Sequence, residues 1–210
     1  MNSSRLIGIL FIVALLSSIR SGSYLDKILD TKSFVFSNEN HTSLIMGSIH
    51  LLILAGSVIT IPLLFYPNLV EENQPLALGY IIARLIEGGF DIFMATIPYL
   101  LSSLARIQQE SNFNYDSVGS SLISLNDSLS VLENIPYCIG ALILNLLLYR
   151  TQLVPRWISI WGALGATLFL GTVPIRLLYT VPEWILAFAL PLILNEIVLS
   201  IWLITKGFLN

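Results

Sequence analysis

The chain has 210 residues, of which 55% are hydrophobic and 11% charged, and its mean hydropathy is +0.82. Soluble domains carry about 25% charged residues, so this composition excludes an ordinary water-soluble globule and points to a membrane protein. A net charge of −3 with no basic tract speaks against nucleic acid as a partner. The single cysteine, Cys138, allows neither an intrachain disulfide nor a cysteine-based metal site.

Several apolar runs reach the length of about 20 residues that a bilayer-spanning helix needs. They predict an all-α, polytopic membrane helix bundle, a single domain over residues 1–210 with six transmembrane helices. The expected spans are about 5–21, 43–65, 76–103, 133–149, 156–178 and 183–206. The first run, flanked by Arg5 and Arg20, reads as either a retained helix or a cleaved secretory signal. A polar loop is expected over 22–42. The second span carries His50, expected as a core or interfacial group rather than a ligand, and Tyr66-Pro67 is expected to end it.

The third span, Leu76 to Pro98, holds an arginine and two carboxylates inside a membrane-length apolar run. On an α-helix Tyr80, Arg84, Glu87 and Asp91 fall on one face within a wedge of about 60°. A charge at mid-bilayer depth costs about 2.5–3.5 kcal/mol, so this stripe must face protein or water.

Residues 117–132 predict an amphipathic helix before the fourth span. Its apolar stripe is Val118, Leu122, Leu125, Leu129 and Leu132, and Pro136 marks a bend. Glu133 is expected to snorkel to the interface, with membership of the polar cluster as the alternative. In the fifth span Gly162, Gly165 and Gly171 allow close helix approach. In the sixth, Pro191 precedes Asn195-Glu196 at the position where a broken helix exposes a site in many transporters.

Four stretches together carry a family resemblance. They are Leu76–Tyr80 leading to Arg84-Leu-Ile-Glu87-Gly88; Leu153-Val-Pro155-Arg156-Trp157 on to Trp161-Gly162; Tyr66-Pro67; and Leu190-Pro191 through Asn195-Glu196 to Trp202, Lys206 and Phe208. The chain resembles the bacterial integral-membrane family catalogued as domain of unknown function 4386. The resemblance implies a six-helix protein of the bacterial cytoplasmic membrane with both termini in the cytoplasm, and it assigns no catalytic residues. Loop charges do not fix the orientation: Arg5, Arg150, Arg156 and Lys206 lie on one side, and Arg20, Lys27, Lys32, Arg106 and Arg176 on the other.

If the third and sixth helices touch, Arg84 has three carboxylates within choice, Glu87, Asp91 and Glu196, with Tyr80 and Asn195 to complete the hydrogen bonding. One arginine cannot answer three acids, so a protonatable group is left over. The sequence therefore suggests a small-solute or proton-linked transport or sensing role through this cluster. The alternative is a non-transporting accessory or regulatory protein whose cluster only fixes the bundle. An enzyme is the less favoured class. His41 and His50 are the only histidines, no serine or phosphate-loop motif stands out, and no catalytic residue, metal or cofactor is predicted. The expected partners are the lipid bilayer and a small solute or proton.

Overall fold

Runs rich in Leu, Ile, Val and Phe fold into long helices, and the third run stays helical through Gly88-Gly89 and its three charged residues, Arg84, Glu87 and Asp91. The computed structural model describes residues 3–29, 40–110, 115–179 and 181–209, among which every element is helical. The helices are α1 (Ser3–Leu29), α2 (His41–Leu69), α3 (Gln74–Glu110), α4 (Asp116–Thr151), α5 (Arg156–Leu178) and α6 (Leu190–Thr205). A 3-10 helix, Glu183–Ala189, leads into α6. Five helical stretches are long and apolar enough to cross a membrane, and the chain is a membrane protein. The exception is α3, the helix that carries Arg84, Glu87 and Asp91.

Each helix packs on its neighbours in the chain, and α6 closes back on α1, so the six form a ring in sequence order. Small residues set the close approaches. A Cβ on Gly8 would stand 2.7 Å from the Ser200 carbonyl oxygen, and one on Gly165 would stand 2.8 Å from the Leu192 nitrogen. Gly171, by contrast, faces open space. One end of the ring is filled by Ile7, Phe65, Leu69, Leu147, Leu148, Ile158 and Leu203 among others. Leu209 donates its N–H to the Leu153 carbonyl at 2.8 Å, tying the last described residues to this end.

The expected boundaries need five corrections. The first helix runs on to Leu29, through residues expected as loop. The second continues past Tyr66-Pro67 to Leu69; proline in a last turn removes only one hydrogen bond there. The third begins at Gln74 and reaches Glu110. The amphipathic segment 117–132 and the fourth span are one 36-residue helix, and Pro136 lies inside it without ending it. Finally, Pro191 sits in the first turn of α6, where the 3-10 helix passes into α, and not within a broken helix.

At about 1.5 Å per residue, α3 and α4, with 37 and 36 residues, are each about 54–55 Å long, against a hydrocarbon core of about 30 Å. Their distal halves therefore overshoot the ring and pack with the ends of α1 and α2. Leu25, Ile28, Leu44, Ile97, Leu101 and Ile123 form a second core there. Within the amphipathic segment the buried positions are Gly119 and Ile123, flanked by Leu122 and Leu129, while Val118, Leu125 and Leu132 are exposed. The serines of this half return their hydroxyls to the helix, as Ser120 does to the Asp116 carbonyl at 2.8 Å and Ser128 to Ser124 at 2.9 Å.

Candidate functional site

The ring encloses a cavity of about 290 Å³ that every helix helps to line. Phe11, Leu15, Leu54, Val58, Phe169 and Ile193 make its apolar wall, on α1, α2, α5 and α6. Arg84 and Glu87 of α3, Glu133, Asn134 and Tyr137 of α4, and Glu196 of α6 make the polar one. Ser18 and Asn134 mark one end of the cavity. The packed core around Phe65 and Ile158 closes the other.

Arg84 is the centre of the polar wall and is only 3% exposed. Its Nη1 donates to both carboxylate oxygens of Glu87 at 3.0 Å, one turn along the same helix. Its Nη2 stands 3.6 Å from Glu196 Oε1, close enough for attraction but too long for a hydrogen bond. The guanidinium carbon lies 5.6 Å from the Tyr80 ring centroid and 5.5 Å from that of Tyr137, so the cation is flanked by two aromatic faces. Nε and Nη2 have no hydrogen-bond acceptor among the described residues, and the Tyr80 hydroxyl likewise has no partner.

Farther along α3, Asp91 is 1% exposed and neither of its carboxylate oxygens meets an N–H or O–H donor among the described residues. The acidic residue at the same level of the neighbouring helix is Glu133 of α4. Glu133, Tyr137 and Gly140 follow a four-three spacing on α4, which runs antiparallel to α3, so Glu133 meets Asp91 while Tyr137 and Gly140 meet Arg84. Two carboxyl groups side by side in a low-dielectric interior require a proton or a cation between them.

The structure thus brings together Tyr80, Arg84, Glu87 and Glu196, with Asp91 beside Glu133. It separates Asn195 from them. Adjacent residues on a helix point about 100° apart, so Glu196 faces the cavity while Asn195 turns to α5. There its Nδ2 donates to the Ile158 carbonyl at 2.6 Å. A side chain on Gly162 would collide with both Asn195 and Asn145, so this glycine makes room for the two amides. The main packing partners of the third helix are the second and the fourth, and not the sixth. α3 lies between α2 and α4, and Arg84 reaches Glu196 across the interior. Glu133 lines the polar wall, the alternative the sequence left open for it, and Tyr137 was not anticipated; their register against the α3 stripe is the signal that places them.

Neither histidine lies in the cavity. His50 Nδ1 pairs with the Met46 carbonyl at 2.8 Å and its ring rests on Tyr24, while His41 bonds Ser102 across α2 and α3. Among the described residues no three His, Cys, Asp or Glu side chains are placed to hold a metal ion.

No curated protein and no solved structure matches the chain. A family model, described as domain of unknown function (DUF4386), matches residues 6–207. With nearly its whole length covered, the chain belongs to this family of helical membrane proteins.

Proposed function

We propose that this membrane protein carries or senses a small solute in a proton-linked way, using the cavity walled by Arg84, Glu87, Glu133, Tyr137 and Glu196. The observation that supports it most is the imbalance of the polar wall. One arginine faces Glu87 and Glu196, and a second pair of acids, Asp91 with Glu133, has no cation of its own among the described residues. Ionisable groups held inside a membrane bundle are costly to keep, and they commonly mark ion and proton paths. Here they border a void instead of being filled in by packed side chains. In the proposed cycle Asp91 and Glu133 hold and release the proton, and Arg84 holds Glu196 until a solute group displaces it.

One feature favours the accessory reading, in which the cluster only fixes the bundle. Arg84 and Glu87 neutralise each other within a single helix, a pairing that needs no solute. Proteoliposomes loaded with a pH indicator separate the two. The transport reading expects a proton flux that Asp91→Asn or Glu196→Gln abolishes. Equal fluxes in the wild-type and both variants would leave only the structural role.

A further inference from the structure

The two walls of the cavity describe a ligand. On one side is an acceptor group without a donor, the Asp91–Glu133 carboxyl pair, with Glu133 presented to the void. About seven residues nearer the closed end, roughly 10 Å along α3, is a donor without an acceptor. This is Nη2 of Arg84, on a side chain 97% buried and lining the same void, with Glu196 standing off at 3.6 Å. The rest of the lining is largely apolar, with Phe11, Leu15, Leu54 and Val58 on α1 and α2 and Phe169 on α5. A lone inorganic cation would leave that surface and the arginine unused, and an anion would meet four acids against one arginine.

We propose that the cavity takes a small organic ammonium ion that also carries a hydrogen-bond acceptor, its nitrogen on Glu133 and its acceptor on Nη2 of Arg84, with hydrocarbon against the apolar wall. At about 30 Å³ per water, a void of about 290 Å³ has room for a ligand of about ten non-hydrogen atoms. This rests on the proton-linked reading above and names its substrate class. The charges balance. The Asp91–Glu133 pair carries −1 with its shared proton and −2 without it, and the entering ammonium brings +1. One amine is therefore exchanged for one proton with no change in the charge of the site.

The test uses the full chain in detergent micelles with 4-aminobutan-1-ol as the probe, read by thermal melting and by proton release into weak buffer. The expected results are a raised Tm and one proton released per amine bound. The apparent Kd should fall about tenfold per pH unit over the range in which the pair still holds its proton. Butylamine, which lacks the acceptor, should bind about tenfold more weakly, and butan-1-ol and butyrate should leave Tm unchanged. Glu133→Gln and Asp91→Asn should each abolish the proton release, while Glu72→Gln in the exposed loop should not. Equal stabilisation by butan-1-ol or by sodium, amine binding without proton release, or unaltered release in Glu133→Gln would each overturn the assignment. If the amine fails to bind while Asp91→Asn still abolishes proton flux in proteoliposomes, the ligand class is wrong and the proton-linked reading stands.

Discussion

Asp91 of α3 and Glu133 of α4 stand at the same level of two packed antiparallel helices, with no arginine, lysine or hydroxyl donor against either oxygen of Asp91 among the described residues. The arginine available on the same face, Arg84, is about two turns away and already holds Glu87. The antiparallel register of the two helices produces this separation. A stripe of Tyr80, Arg84, Glu87 and Asp91 runs against one of Gly140, Tyr137 and Glu133, so aromatic groups fall on the cation and acid falls on acid.

Arg84 should be the most sensitive position for stability. Arg84→Ala leaves Glu87 and Glu196 buried beside each other without a cation, a loss of about 3–5 kcal/mol. Arg84→Lys keeps the charge but loses the planar group that spans Tyr80 and Tyr137, and should fall between the two. Denaturant titration in mixed micelles measures both. An Arg84→Ala protein as stable as the wild-type would mean the guanidinium is not what neutralises this wall.

Gly162 and Gly171, both on α5, should respond in opposite directions. Gly162→Ala places a methyl group against the Asn145 and Asn195 amides and should cost about 1–3 kcal/mol. Gly171→Ala meets nothing and should gain about 0.5–1 kcal/mol from the helix backbone alone. Thermal melts of the two variants give the comparison. A harmless Gly162→Ala would show that the α4, α5 and α6 junction has slack.

The distal half of α4 should be wet. In a Cys138→Ala background, cysteines at Ser121 and Ser124 should react with a membrane-impermeant maleimide in open membranes. A cysteine at Leu146, exposed but on the lipid-facing side of the ring, should not. Protection of both serine positions would place that half of the helix in the bilayer.

His41 and Ser102 join α2 to α3 near the distal core. A double-mutant cycle of His41→Ala and Ser102→Ala should return a coupling of about 0.5–1.5 kcal/mol. A coupling near zero would mean the two side chains do not bond in the membrane-bound protein.

Much of this was legible in the residues. The four-three-four spacing from Tyr80 to Asp91 placed four side chains on one face, and membrane-length hydropathy gave the helices. What misled was length. Glu133 looked interfacial because the fourth span was expected to begin there. In fact α4 begins at Asp116, so Glu133 lies 17 residues inside the helix, about 25 Å from its end. The serine-rich half reads as a separate amphipathic helix because its leucines keep helical spacing. Packing against α1 to α3 instead selects Gly119 and Ile123, small and branched groups a step away from that stripe. Asn195 was assigned by adjacency to Glu196, and adjacency on a helix is a change of face. The Arg84–Glu196 approach did not need the third and sixth helices to be main packing partners, since an arginine side chain is long enough to reach across the interior.

The most direct measurement is infrared difference spectroscopy of the carboxyl C=O stretch, comparing the wild-type with Asp91→Asn and Glu133→Gln in lipid at neutral pH. A proton shared by Asp91 and Glu133 predicts a protonated-carboxyl band in the wild-type that disappears or shifts in both variants. A spectrum without that band, or one in which it survives both substitutions unchanged, would contradict the proton site on which the proposed cycle rests.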